Sequence, residues 1–175
     1  MASIRKNDYY VGVFLTTILK TAKTVPALFD AIGDAKRVMF DTNEGEFNVY
    51  IKYSTGLKEG KDTRDKETKK RKYWNINFTQ KEFEYLQNEF PKNQSKNAIA
   101  LVCTDKDFSS TDIVILSLKD VMERMQVTTE QGNRRITVSR TGKNHRFECF
   151  GVDDNYKNPP ITVALSPTKQ LQELI

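Results

Sequence analysis

Basic residues stand directly beside aromatic residues in one stretch of this 175-residue sequence. The segment 56–72 is rich in lysine and arginine and carries almost no apolar residue, and Tyr73 and Trp74 follow it at once. Cationic side chains bind phosphates and aromatic rings stack on bases, so this neighbourhood favours contact with single-stranded nucleic acid. The segment is either a solvated loop or a flexible arm that contacts phosphates, and Trp74 is also typical of a core residue. The candidate phosphate contacts are Lys69, Lys70, Arg71 and Lys72.

A second basic cluster lies at 134–146. Alternation over 135–140 directs Ile136 and Val138 inward and Arg135 and Ser139 outward, and 145–150 supplies the other strand of a predicted hairpin. Such a basic ribbon can follow a phosphate backbone, although cations on an edge hairpin also prevent sheet-to-sheet aggregation. The candidate nucleic-acid contacts here are Arg135, Arg140, Lys143 and Arg146, whereas His145 is interpreted as structural or surface-exposed.

The composition limits the chemistry. Cys103 and Cys149 lie in apolar runs and are predicted to be buried free thiols, which fits a cytoplasmic location. With a single histidine they are too few for a zinc site. The sequence lacks a Walker loop, a dinucleotide fingerprint and a nucleophile elbow, which disfavours nucleotide-dependent enzymes and serine hydrolases. Its net charge of +5 indicates a mild preference for anionic partners, and no apolar run approaches the length of a membrane span.

Periodicity predicts a chain of alternating helices and strands. A helix is expected over 8–35 with Asp8 as its N-cap, interrupted at Pro26, so that 26–32 forms a second short helix. A hairpin of strands 37–42 and 47–54 follows. Further strands are predicted over 73–78, 97–104, 113–118, 135–140, 145–150 and 161–165, and further helices over 80–90, 118–125 and 168–174. Thr79 with Glu82 matches a capping box, and Ser117 is a predicted N-cap.

This order of elements predicts a single α/β (α+β) domain, with a mixed central β-sheet flanked by helices and an added C-terminal hairpin. The strand over 97–104 is apolar throughout, so it is expected at the centre of the sheet with both faces buried.

The segments 47–55, 73–79 and 98–103, with the helix between the last two, are similar to the restriction-endonuclease-like superfamily, which is known by its PD-(D/E)xK motif. The resemblance covers about residues 36–125 and implies a core of helix, hairpin, second helix and further strand. The run 50–54 resembles the strand core of nuclease-like domains in bacterial and phage proteins. In this superfamily two carboxylates hold Mg²⁺ beside the scissile phosphate, and a lysine stabilises charge or positions the attacking water.

Mapped onto the motif, Lys52 takes the lysine position, Tyr50 takes the acidic position, and Asp34 or Asp41 is the earlier aspartate. The resemblance thus implies Lys52, Asp41 and Asp34 as catalytic residues, with the two aspartates as metal ligands. A turn at 43–46 predicts that residue 50 faces about residue 39, and Asp41 then shares the face of Lys52.

Tyr50 departs from the motif, because a phenol is no carboxylate ligand. Either another carboxylate replaces it, with Glu44, Glu46 or Asp41 nearest in sequence, or metal-dependent cleavage is lost. Tyr50 either packs against the N-terminal helix or contacts a base or phosphate. Ser54 either caps the strand end or binds a phosphate.

These observations predict a nucleic-acid-directed protein with a nuclease-like fold, bound to DNA or RNA. It is either a divergent nuclease that uses Mg²⁺ or Mn²⁺, or an inactive binding relative. The alternative is a non-enzymatic module for protein interaction or oligomeric assembly. A third hypothesis, an enzyme acting on a small anionic molecule, has no motif behind it and would require a deep pocket lined by Lys52 and Tyr50.

Overall fold

The computed structural model describes residues 5–20, 25–30, 36–42, 45–62, 68–90, 96–142, 146–153 and 159–174. The helices within these ranges are α1 (Lys6–Leu19), α2 (Gln80–Asn88), α3 (Leu118–Arg124) and α4 (Pro167–Leu174). The strands are β1 (Val25–Asp30), β2 (Lys36–Thr42), β3 (Gly45–Ser54), β4 (Lys58–Asp62), β5 (Lys69–Phe78), β6 (Lys96–Thr104), β7 (Thr111–Ser117), β8 (Arg134–Thr141), β9 (Arg146–Phe150) and β10 (Ile161–Ala164).

The strands form two sheets rather than one. Sheet A has the order β1-β2-β3-β6-β7 and is mixed, because β3 and β6 pair in parallel. Sheet B has the order β10-β9-β8-β5-β4 and is antiparallel throughout. The mixed α and β content is confirmed. The predicted C-terminal hairpin exists as β8–β9, but it belongs to a second full sheet instead of being an addition to the first.

Two hydrophobic clusters fill the spaces on either side of sheet A. On one side, Phe14 of α1 and Leu171 of α4 share a cluster with Val49 and Val102 of sheet A. On the other, Tyr50 and Leu101 of sheet A share a cluster with residues of sheet B, including Trp74 and Val138, and with α2 and α3. Strand β6 is therefore apolar on both faces because both are covered, which confirms that it is buried on both faces. It is an interior strand beside the edge strand β7, whereas β3 lies at the centre of sheet A.

The predicted helix over 26–32 is wrong where the structure describes it. Residues 25–30 form β1, which pairs antiparallel with β2, and residues 31–32 lie outside the described residues. β1 is an edge strand, where a proline is tolerated because its missing N–H is not needed for the ladder. The first helix is also shorter than predicted and begins at Lys6. Asp8 is its third residue, and its carboxylate accepts a hydrogen bond from the backbone N–H of Arg5 at 2.8 Å.

The predicted solvated loop over 56–72 is largely a hairpin. Residues 58–62 form β4 and residues 69–72 begin β5, whereas 63–67 lie outside the described residues. Local sequence disfavours strands here, but β5 is paired on both sides, with β4 and with β8, and this pairing overrides propensity. The flexible-arm interpretation is therefore wrong for the described part of the segment.

Two of the three predicted N-caps, Thr79 and Ser117, are confirmed, whereas the N-cap of α1 is Arg5 rather than Asp8. Thr79 Oγ1 accepts from the Glu82 N–H at 3.2 Å, and Glu82 Oε2 accepts from the Thr79 N–H at 2.8 Å, which completes the capping box of α2. Ser117 Oγ accepts from the Asp120 N–H at 3.0 Å at the start of α3. Across the described parts of the chain, no helix combines the length and the apolar character needed to cross a membrane.

Candidate nucleic-acid interface

Sheet B has one apolar face and one polar face. Its core residues, such as Trp74, Ile76, Ile136 and Val138, all point toward sheet A. The alternate positions form what we call the outer face: 58, 60 and 62 of β4; 69, 71, 73, 75 and 77 of β5; 135, 137, 139 and 141 of β8; 146, 148 and 150 of β9; 162 and 164 of β10. Within the described residues, none of these positions belongs to a hydrophobic cluster. The sheet therefore offers a polar surface away from the core.

Arg71 is held between two aromatic rings at the middle of the outer face. Its guanidinium carbon lies 5.2 Å from the ring centroid of Tyr73 and 5.4 Å from that of Phe150. Its Nε donates to Ser139 Oγ at 2.8 Å on the neighbouring strand. The guanidinium is thus fixed in orientation by cation–π contacts and one hydrogen bond, and its remaining N–H groups suit a phosphate. Tyr73 and Phe150 are partly exposed, and bases stack on the faces of aromatic rings.

Positive charge predominates across this face. The described basic residues on it are Lys58, Lys69, Arg71, Arg135 and Arg146, and the acidic ones are Asp62 and Glu148. Four of these cations were predicted from sequence as nucleic-acid contacts, and the pairing of β5 with β8 and of β8 with β9 brings them onto one surface. Lys143 and His145 lie outside the described residues.

Three other predicted contacts point the opposite way. Lys70, Lys72 and Arg140 occupy positions with inward parity, and Lys72 pairs with Arg140 across β5 and β8. At this end of the two sheets, Asp112 of β7 lies near Lys72 and Arg140. Burial raises the pKa of Asp112, and the charges of Arg140 and Lys72 partly oppose that rise. Arg140 and Lys72 therefore partly compensate the Asp112 carboxylate at the margin between the sheets, and none of the three cations belongs to the outer face.

A polar recess opens beside the outer face. It has a volume of about 550 Å³, and its lining includes Lys58, Asn75, Asn77, Glu130, Gln131 and Arg135. One wall is the turn after α3, where the Thr129 N–H donates to the Asn133 carbonyl at 2.7 Å and the Gly132 N–H to the Thr129 carbonyl at 2.9 Å. Gly132 has φ of +77°, a left-handed conformation that glycine adopts without a steric cost. The volume falls in the range of small-molecule sites.

Lys52, the residue the motif singled out, lies in the interior instead. Its ammonium forms an ion pair with Glu82 Oε1 of α2 and lies 4.9 Å from the ring centroid of Phe78. The side chains are only 17% and 6% exposed. The Tyr50 hydroxyl donates to the same Glu82 oxygen at 3.1 Å. Since Glu82 Oε2 accepts the capping bond from Thr79, both carboxylate oxygens are engaged.

Tyr50 is fully buried, which does not agree with a contact to a base or phosphate. It packs against α2 and the residues that follow it rather than against the N-terminal helix. Its ring centroid lies 6.0 Å from that of Tyr85 in α2 and 6.0 Å from that of Phe90. Burial and the neighbouring Glu82 carboxylate raise the pKa of its phenol, so the tyrosine stays neutral. Ser54 accepts a hydrogen bond from the Gly56 N–H at 3.3 Å, as a strand-end cap does.

The strand register does not bring Asp41 to Lys52. The register places residue 50 opposite residue 37 rather than 39, and Asp41 opposite Glu46. Glu46 lies six residues from Lys52 along β3, about 20 Å at strand spacing. Asp34 and Glu44 lie outside the described residues. Among the residues described, no group of three or more His, Cys, Asp or Glu side chains is placed to hold a metal ion.

The two cysteines are buried free thiols, as predicted. Both belong to the cluster between the sheets. Burial raises the pKa of the Cys103 thiol, and it raises the pKa of the Cys149 thiol to about 12. Neither is a reactive thiolate at neutral pH.

Sequence reasoning missed several residues of this surface. The turn at 129–133 and the amides Asn75 and Asn77 carried no motif, although the polar members of the alternating segment 73–78 gave a usable signal for Asn75 and Asn77. It also missed Glu82 as the partner of Lys52, because a capping box accounts fully for a glutamate at that position.

No family model, curated protein or solved structure matches this chain.

Proposed function

We propose that this chain binds single-stranded nucleic acid along the outer face of sheet B. The observation that carries the proposal is the partly exposed Arg71, which donates to the buried Ser139 and lies beside the partly exposed rings of Tyr73 and Phe150. Such a surface supplies the two interactions that strand binding needs, cations for phosphates and aromatic groups for bases. A net charge of +5 agrees with an anionic partner.

The shape of the surface favours a single strand over a duplex. A sheet face with half-buried aromatic side chains can stack unpaired bases, whereas a duplex hides the faces of its bases. The outer face also offers amides at Asn75 and Asn77 for hydrogen bonds to base edges.

The proposal concerns binding rather than cleavage. Glu82 is the carboxylate beside Lys52, and its two oxygens already accept bonds from Lys52, Tyr50 and Thr79. A metal ion there would have to displace those donors. A nuclease of the restriction-endonuclease-like class would need a second carboxylate near this pair.

The test is fluorescence anisotropy with labelled single-stranded DNA, single-stranded RNA and duplex DNA, each in EDTA and in Mg²⁺. Single strands should bind more tightly than the duplex, and affinity should fall steeply between roughly 50 and 200 mM salt because phosphate contacts release counterions. Loss of full-length strand only in Mg²⁺ would restore the nuclease hypothesis.

The informative variant is the pair Lys69→Gln and Arg71→Gln, which removes two outer-face cations. Its matched control is the pair Lys81→Gln and Lys119→Gln, which removes the same charge from exposed positions on α2 and α3. The outer-face pair should weaken binding by about tenfold or more and make the salt dependence shallower. An equal loss of affinity in both double variants would mean that net charge alone explains the binding. A stable dimer that binds no nucleic acid would support the alternative of an assembly module.

A further inference from the structure

Two residues that line the polar recess beside the outer face also carry buried polar atoms without hydrogen-bond partners. Thr129 Oγ1 and Arg135 Nε are both buried without a hydrogen-bond partner, and both residues line the recess. Buried polar atoms are nearly always hydrogen-bonded, because leaving one unpaired costs free energy. Two residues with such atoms line one recess, so the chain's own hydrogen bonds are incomplete at this place, and a polar ligand there can supply partners once the side chains turn toward it.

The walls of the recess are fixed before any ligand arrives. The two backbone hydrogen bonds of the 129–133 turn hold one side. On the sheet side, the Thr137 hydroxyl donates to Asn75 Oδ1 at 3.0 Å, which orients that amide and leaves its Nδ2 group as a donor. Arg135 stands opposite Asn77 in the β5–β8 register. A prearranged site loses little entropy when it binds.

The side chains that line the recess are of two chemical kinds, cations and hydrogen-bonding groups. Lys58 and Arg135 are cations suited to a phosphate. Asn75, Asn77 and Gln131 carry amides, which both donate and accept, and Glu130 carries a carboxylate, which only accepts. A carboxylate repels a polyphosphate but accepts hydrogen bonds from an amino group. The combination fits one nucleotide rather than a simple anion.

We infer that the recess holds one nucleotide of a bound strand, with its phosphate at Arg135 and Lys58 and with its base selected by Glu130 for an amino group on its edge. The inference rests on the proposed function and adds base selection to it. Guanine fits best, since its edge presents an amino group beside a ring N–H, two donors that one carboxylate can accept together. Thymine and uracil carry no amino group.

The experiment compares a labelled all-thymine strand with the same strand carrying one central guanine. The guanine strand should bind about tenfold more tightly, the discrimination expected of a good paired hydrogen bond to a base. Glu130→Gln should reduce the affinity difference between the two strands severalfold, because the amide has one acceptor oxygen and places an NH2 donor where the carboxylate has its second oxygen. The control Glu123→Gln removes the same charge from an exposed position on α3 and should leave the difference unchanged.

A second readout separates the two proposals. Guanosine and uridine 5′-monophosphates are titrated alone, with inorganic phosphate as the reference, and observed by NMR. If both strands bind equally and Glu130→Gln changes nothing, the base-selecting recess is wrong while strand binding stands. If no strand binds but guanosine monophosphate binds more tightly than uridine monophosphate and Arg135→Gln abolishes this, strand binding is wrong and the recess keeps its nucleotide.

Discussion

Two polar regions of this molecule are assembled from distant parts of the chain, and they differ in what their polar groups still lack. In the interior, Lys52 and Tyr50 of β3 meet Glu82 of α2, and both oxygens of that carboxylate accept hydrogen bonds. In the recess beside the outer face, Arg135 and Thr129 keep buried polar atoms without partners. In the first region every polar group has a partner, and in the second we propose that a ligand supplies the missing partners.

This difference shows that the neighbours of a polar residue, rather than its motif position, indicate whether it belongs to a binding site. A lysine at a motif position draws attention, but its neighbours decide its role. Lys52 neutralises a carboxylate that is itself needed to cap α2. A buried charge with every partner in place stabilises one arrangement, whereas partly satisfied groups in an open recess are suited to binding.

Removing the shared carboxylate should have the largest effect on stability. Glu82→Ala leaves Lys52 and the Tyr50 hydroxyl without their partner and deletes the capping box, so we expect the free energy of unfolding to fall by about 3–5 kcal/mol. Chemical denaturation measures this. Glu84→Ala, on the exposed side of the same helix, is the control and should cost well under 1 kcal/mol. A Glu82 variant as stable as its control would contradict the structural role.

Replacing Lys52 tests whether the interior region affects stability alone or nucleic-acid binding as well. Lys52→Met keeps the length of the side chain, and Glu82 retains its bonds from Tyr50 and Thr79. We expect a loss of about 2 kcal/mol in unfolding free energy and unchanged affinity for single strands. A folded Lys52→Met protein that no longer binds nucleic acid would move the functional site to the interior.

Removing the phenol hydroxyl should have a smaller effect. Tyr50→Phe preserves the ring contacts with Tyr85 and Phe90 and deletes one hydrogen bond, for an expected loss of about 1 kcal/mol. Denaturation of Tyr50→Phe against the parent protein tests it. A loss as large as that of Glu82→Ala would mean that the hydroxyl, rather than the ion pair, holds the group together.

Replacing Asp112 should give the smallest change in stability. Asp112 is intermediate between the two polar regions, because neighbouring cations compensate its buried carboxylate only in part. Its pKa is raised by burial, so the folded protein binds more protons than the unfolded chain as this group titrates. Its contribution to stability therefore increases as pH falls through the raised pKa toward the ordinary aspartate value. Asp112→Asn should abolish that part of the pH dependence and be slightly stabilising at pH 7. An unchanged stability profile in acid would contradict incomplete compensation by Arg140 and Lys72.

Much of the fold could be predicted from sequence where local signals were strong. The capping box at Thr79, the cap at Ser117 and the apolar strand β6 all agree with the structure. Such features depend on residues a few positions apart. Local patterns failed where tertiary pairing decided the outcome: β1 forms around Pro26 because β2 provides a partner, and β4 forms in a charged segment because β5 does.

The site was predictable in part for the same reason. Arg71 and Arg135 were recognised as basic residues, but their meeting on one face depends on the β5–β8 pairing, which joins segments about sixty residues apart. The partnership of Lys52 with Glu82 also spans two elements. A motif within a single strand predicts neither the shared face of Arg71 and Arg135 nor the ion pair of Lys52 with Glu82, because both depend on how the elements pack.

The most direct test of the central claim is to locate the bound strand on the protein. A single strand carrying a photoreactive pyrimidine is bound, irradiated, and the cross-linked peptides are identified by mass spectrometry. We expect cross-links at Tyr73 and Phe150, on β5 and β9, and their reduction in Arg71→Gln. A strand that binds but cross-links only to α1, α4 or other surfaces away from sheet B would contradict the assignment of the outer face.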